Sequence, residues 1–443
     1  VKMAPQRTRP VANRALAALI EQAGWTHAAA AEHVNAVASE YGDPLYYDRS
    51  AIGHWLTGTI PRPEAAAAAV EAFRRALHRP DLTLADLGWG TVNLPQVGND
   101  PWKGDPVARL ATLGEDDMLN RRTLLAAGAF TVAGLTPARN ADVLPERRAG
   151  AGDVQRLRDT TKVFADLDDQ YGGGHARAAV AAYLTRDVAP LLRGTGGRTR
   201  PDLFCAAAEL TYLAAYMAMD AGAHDLATRY YISTIRLADE AGDMVLRATG
   251  LRSMAVQAVE LGHGREALAL AEAAASSLRG RGPLRTVAWV TGMQAETHAA
   301  AGDRWGALNL LRRTETHLEH ADSLPEADWT GNYRRESFEH QTGLALTQLG
   351  DHATAARHYT ASMSTRRPIE RRTRALIGLR AAHAQLLSGD VDQAAATVVD
   401  LGADVRSISS ARVRNEVRQI RTGWQPYRSN AHIAAADRVL ASN

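Results

Sequence analysis

The sequence predicts an all-α chain, and three features carry that reading. Alanine runs such as AAAAEH, EAAAAAVEAF and ALALAEAAASS recur along it, and Ala and Leu favour helix. The Val, Ile, Tyr and Thr clusters typical of strands are scarce, with aromatic residues at only 6%. Glycines and prolines stand where helices would end, leaving helix-length segments between them. At 443 residues and 46% apolar content the chain can bury more than one core, so two or more domains are expected.

Residues 1–88 read as the first domain. Helices are predicted at about 11–23, 26–40, 48–57 and 63–77, punctuated by Gly24, Gly42, Pro44, Gly58, Pro61 and Pro63, with a turn ending in DLGWG. In the third, Ile52, Trp55 and Leu56 recur at i, i+3 and i+4 and should face inward. Ser50, Gly53, His54 and Thr57 form a stripe on the other side that contains no acid. Asp48 is placed to cap this helix and Gly58 to close it. A solvated face would carry Glu and Lys. A stripe of small and hydrogen-bonding residues permits close approach, and the major groove of DNA admits a helix of that kind.

Residues 89–119 are rich in Pro, Gly and Asp and hold no helical period, so 89–152 is read as a linker. Within it RRTLLAAGAFTVAGL, residues 121–135, resembles a twin-arginine signal but lies behind the first block, where a packing helix is the better reading. The run is shorter than the roughly 20 residues that span a bilayer.

From 153 to 443 the chain repeats. The helix-ending glycines Gly222, Gly262, Gly302, Gly350 and Gly389 are 40, 40, 48 and 39 residues apart. Five residues after each stands Ala227, Ala267, Ala307, Ala355 or Ala394, and seven before it Ala215, Ala255, Ala295, Gly343 or Ala382. Such glycines can take the left-handed conformation that closes a helix, and small residues beside the turn let antiparallel helices approach. Each repeat is therefore a helical hairpin. An earlier hairpin, about 153–170 and 175–193 around YGGGH, should cap the stack.

Two resemblances follow from these residues. The small, Gly, Ala pattern resembles the tetratricopeptide repeat in a degenerate form with lengthened helices, lacking most aromatic anchors and exceeding the usual period of about 34 residues. The first block resembles the lambda-repressor-like (XRE-type) helix-turn-helix, enlarged by SEYGDPLYYD before Asp48 and with His27 where Gln is common. The match implies that Arg49, Ser50 and His54 read bases or phosphates, supported by Thr26, His27, Thr57 and Thr59. The joint architecture is similar to actinobacterial transcriptional regulators and to quorum-sensing regulators whose repeat domain receives a peptide. It implies an operator in double-stranded DNA, a homodimer, and a peptide, small-molecule or protein effector. The alternative is an interaction scaffold whose helix-turn-helix no longer reads DNA.

In stacked hairpins the first helices line a concave surface. Counting six and ten residues back from each turn glycine selects Tyr212, Tyr216, Arg252, Glu296, His340 and His383 as effector-binding candidates, with Asp220, Glu260 and Gln348 nearer the edge.

Charge adds little, since the net is +2 overall and residues 1–80 hold nine Arg and Lys against seven Asp and Glu. Lys2, Arg7, Arg9 and Arg14 form a basic start, either a phosphate-binding arm or a soluble tail. Arg414, Arg418 and Arg421 share a face read as salt-bridging to another subunit. The single Cys205 sits in LFCAAAEL, which fits a buried thiol in a reducing cytoplasm. No catalytic motif stands up, so no enzyme and no cofactor is expected. No metal is expected either: HLEH at 317–320 is a lone pair of histidines, and DLDDQYGG, which begins like a calcium loop, has Arg177 where the closing Glu should be.

Overall fold

The computed structural model describes residues 12–40, 45–77, 79, 82–89, 102, 104–122, 149–278, 282–321 and 333–441. Among them there are helices and no strand, which is the fold class expected. The chain divides into two compact units, one of residues 1–103 with 222–225 and one of 104–221 with 226–443.

The first unit contains α1 (Arg14–Gln22), α2 (His27–Glu40), α3 (Arg49–Leu56) and α4 (Pro63–Leu77). Asn13 caps α1 by accepting from the Leu16 amide, and its Nδ2 also donates to the Leu87 carbonyl at 2.8 Å. Its core joins Leu16, Leu19 and Ile20 to Val34, Val37, Ile52, Trp55, Leu56, Phe73 and Leu87. Trp55 meets Tyr47 edge-on at 5.1 Å and Trp89 at 5.5 Å. Burial of side chains this size contributes roughly 1.5–3 kcal/mol each.

The second unit opens with α5 (Pro106–Arg122). Most of this helix lies in the stretch read from sequence as a linker, and packing explains the difference. Asp117, almost fully buried, is held by Arg177 and by the Tyr230 hydroxyl at 3.2 Å. Gly114 sits so close to the following helices that an added Cβ would lie 2.1 Å from Thr185 Oγ1. Tertiary contacts thus hold a segment with weak helical periodicity. The predicted packing helix at 121–135 lies, beyond Arg122, outside the described residues, as does the basic start before Ala12.

Then follow α6 (Ala151–Tyr171), α7 (Gly173–Tyr183), one π-helical turn (Leu184–Val188) and α8 (Ala189–Gly194), and after them the hairpins. Their helices are α9 (Thr199–Asp220) and α10 (His224–Ala241), α11 (Met244–Glu260) and α12 (Gly264–Leu278), α13 (Leu284–Ala300) and α14 (Arg304–Glu319), α15 (Arg335–Gln348) and α16 (His352–Thr365), and α17 (Arg371–Leu387) and α18 (Val391–Ser407). The chain ends with α19 (Ala411–Gly423), a 3-10 turn (Gln425–Tyr427) and α20 (Ala431–Ala441). All five turn glycines have φ between 76° and 93°. The five alanines that follow them are fully buried. At Gly343 an added Cβ would lie 2.6 Å from the Tyr359 ring. The aspartates after Gly302 and Gly350 cap the second helix of their hairpins, Asp303 through Gly306 N and Asp351 through Thr354 N.

The stack does not stay open. The hairpin around YGGGH, expected to cap one end, meets the α18–α19 junction at the other. Ser409 N donates to Tyr171 O at 2.7 Å and Gly174 N to Ser409 O at 3.2 Å. Asp220, expected at the groove edge, is fully buried in this clasp, accepting from Gly173 N at 2.9 Å and Ser410 Oγ at 2.8 Å. The glycines make the approach possible, since a Cβ on Gly173 would lie 2.4 Å from Met217 O. Arg372 of α17 completes the join with Asp168 at 2.9 Å and Asp169 at 3.1 Å. The carboxylates that resemble the start of a calcium loop are therefore engaged by a guanidinium.

Candidate functional site

Two places in the fold gather the residues selected from sequence. The first is the outer side of α3. Asp48 caps the helix by accepting from Ser50 N at 2.9 Å and Ala51 N at 3.1 Å. Gly58 follows it with φ 102°. Ile52, Trp55 and Leu56 are buried, as their spacing predicts. Arg49, Ser50 and His54 are exposed, and so are Thr26, His27 and Thr59, while Gly53 and Thr57 are half-buried. Thr26 caps α2 by accepting from Ala29 N at 3.1 Å. Thr57 Oγ1 donates back to His54 O at 3.0 Å. A Cβ added at Gly53 would meet no atom within 4 Å, so intramolecular packing does not demand glycine there.

The sequence reading left open whether the enlarged turn disturbs α3. Residues 41–44 lie outside the described residues, but beyond them the chain is pinned. Asn35 of α2 donates from Nδ2 to Tyr47 O at 2.8 Å and accepts from Tyr47 N at 2.9 Å. One amide side chain thus satisfies both backbone groups of the residue preceding Asp48. Sequence reasoning missed Asn35. Its signal was a polar residue amid the apolar positions of α2, explained only by a partner twelve residues on.

The second place is the inner face of the repeats, to which α9, α11, α13, α15, α17 and α19 all contribute. The counting rule brings its six residues to this one face, but the face is largely occupied by side chains, not an open groove. Tyr212 shares a 2.9 Å hydrogen bond with Ser253. Tyr216 accepts from Arg372 at 3.0 Å and Arg412 at 3.3 Å. Arg380 reaches Glu416 at 2.8 Å, Glu260 at 3.3 Å and the His340 imidazole at 3.0 Å. Arg412 also binds Glu260. Burial, with Arg380 beside it, drives the His340 imidazole well below its ordinary value and keeps it neutral. Burial lowers His383 as well, against the pull of Glu416. Glu296 is raised by burial despite Arg252 and Arg380.

The Arg252 guanidinium lies 4.2 Å over the Trp289 ring, and its buried Nε, like that of Arg412, has no hydrogen-bond partner. Arg372, Arg380 and Arg412 were missed from sequence because they come from the last elements, and only closure of the ring carries them to the first ones. Outside this face, Arg421 pairs with Asp437 of its own chain at 2.9 Å. Cys205 is half-buried and donates to Asp243, and burial and that carboxylate keep it a thiol.

The class of protein defined here is an all-helical chain with an N-terminal four-helix block and a ring of helical hairpins. The family described as SP15 N-terminal domain matches residues 16–90, the span from α1 to just past Trp89. No curated protein matches the chain. Among the described residues no helix is long and apolar enough to cross a membrane.

Proposed function

We propose that this chain is a sequence-specific DNA-binding transcriptional regulator of helix-turn-helix type. Its α3 lies on duplex DNA, and its tetratricopeptide-like repeats hold an effector and pair with a second copy in the cytoplasm. One observation carries the DNA half. The stripe of exposed Arg49, Ser50 and His54 with half-buried Gly53 contains no carboxylate, and the glycine in it costs helix stability without an internal packing need. A close-fitting outside surface accounts for both, and the alternating small and donor side chains suit base edges and phosphates. Mobility shift across genomic fragments at several salt concentrations tests it. A preferred site should persist while overall affinity falls with salt. Replacing Ser50 and His54 by Ala should remove the preference and leave the fold intact. If no fragment shifts even at low salt, the reading is lost.

A second reading, a scaffold whose helix-turn-helix binds protein, draws on Tyr46 and Ile60. These large apolar residues flank α3 with 90% and 54% of their surface exposed, as a protein partner would favour. In that case the same shift assay stays blank and α3 substitutions abolish a protein complex instead.

A further inference from the structure

Two neighbouring arginines on α14, the second helix of its hairpin, stand apart from the ion pairs of the repeats. Among the described residues Arg312 meets no carboxylate, only Asn309 Oδ1 at 3.4 Å, and none pairs with Arg313. The nearby acids are engaged elsewhere. Glu315 accepts from Arg335 at 2.6 Å, and Asp303 accepts from Gly306 N at 2.9 Å and meets His298 at 2.8 Å.

The two guanidiniums border a shallow groove of about 260 Å³, lined also by Asn309, Thr316 and His317. Among the described residues no acid lines it, and Glu319 lies outside it. Thr316 spends its hydroxyl on Arg312 O at 3.1 Å, so the guanidiniums, the Asn309 amide and the His317 imidazole remain to meet a ligand. Burial first, and then the charges of Arg313 and His320, lower the His317 imidazole, and the share owed to those charges reports a positive field at the groove. Two guanidinium forks and an amide offer more donors than the two oxygens of a carboxylate accept. A phosphate group, with three oxygens and a second charge, matches them better. On the same face, two turns before Arg312 and about 10 Å along the axis, stands Trp305 with 77% of its surface exposed. An exposed indole beside arginines gives a nucleobase a ring to stack on.

We infer that this face of α14 binds a free nucleotide, its base on Trp305 and its phosphates on Arg312 and Arg313 in the groove. This names the effector class within the proposed function and rests on the repeats holding an effector. It places that effector on α14 and not on the inner face, which side chains already fill.

Isothermal titration of the full chain tests it with the four common ribonucleoside diphosphates and triphosphates. The matching nucleosides, pyrophosphate, a twelve-residue oligothymidylate and hexaglutamate serve as comparisons. At least one nucleotide should bind, with its nucleoside and pyrophosphate each weaker by about tenfold or more. Arg312→Gln and Arg313→Gln should each weaken it about tenfold, and Trp305→Ala should bring the nucleotide down to the level of pyrophosphate. These three side chains are exposed, so circular dichroism should show each variant folded. Should one not fold, the comparison of nucleotide with nucleoside and pyrophosphate on the unaltered chain still decides. The inference is overturned if no nucleotide binds, if pyrophosphate binds as tightly as the nucleotides, or if the folded arginine variants bind them unchanged. Oligothymidylate or hexaglutamate binding in place of the nucleotides overturns it as well, in favour of a strand or an acidic peptide. A co-purified effector of another class overturns it while leaving effector binding standing. DNA binding is read separately by the shift assay, so its failure is not confused with this one.

Discussion

Arg372 and Asp168 stand 204 positions apart in the chain and 2.9 Å apart in the fold. The contact joins α17 to α6 and makes a ring of what the repeats alone would leave as an open arc. Asp169 and Asp220 share the same guanidinium, at 3.1 Å and 3.9 Å. Several carboxylates on one buried cation make the clasp stable only while that cation is present.

Replacing Arg372 by Met should therefore cost more than the loss of one surface pair. It strands buried Asp168 without its counter-charge and leaves Asp220 with less compensation, a change expected to destabilise by about 3–5 kcal/mol. Adding Asp168→Asn to Arg372→Met should recover part of the loss. Urea denaturation of the two variants checks this, and a double variant no better than the single one contradicts it.

The clasp should also respond to pH. Burial, with Asp220 and Asp169 close by, pushes the Asp168 carboxyl up to about 7 in spite of Arg372. A folded-state value above the unfolded one means that the native state binds the proton more tightly. Its contribution is full below about 4 and is lost as pH rises through about 7. His340 titrates with the opposite sign, because its lowered value makes stability fall as pH drops below about 6.5. Comparing denaturation midpoints at pH 5 and pH 8 for the unaltered chain and Asp168→Asn isolates the first effect. The variant should lose less stability on going to pH 8.

Two glycines should answer the same substitution with opposite signs. At Gly53 a methyl group meets open space, so Gly53→Ala should stabilise by about 0.5–1 kcal/mol while weakening binding to a preferred DNA site. At Gly343 the methyl would lie 2.6 Å from the buried Tyr359 ring, so Gly343→Ala should destabilise by about 1–3 kcal/mol. Thermal unfolding and mobility shift measured together distinguish them. Unchanged DNA affinity in Gly53→Ala would remove the observation on which the proposed function rests.

Asn35→Ala should loosen the entry to α3. Both backbone groups of Tyr47 lose their partner, a cost of about 1–3 kcal/mol in thermal unfolding. Amide exchange at Tyr47 should accelerate, whereas an unchanged rate would show that the neighbouring packing alone holds the segment.

The sequence by itself determined the helical class, the inward face of α3 and the turn glycines, because these depend on periodicity and on backbone conformations that residue type dictates locally. It also placed Asp48 at its cap and gathered Tyr212, Tyr216, Arg252, Glu296, His340 and His383 on one face, since position along a hairpin fixes which side a residue presents. Only the tertiary structure decided that α5 is a helix and that Asn35 holds Tyr47. It alone brought Arg372, Arg380 and Arg412 to fill the inner face. Those arrangements join residues up to two hundred positions apart. The curvature that brings them together accumulates from small rotations between successive hairpins, which no local pattern of residues records.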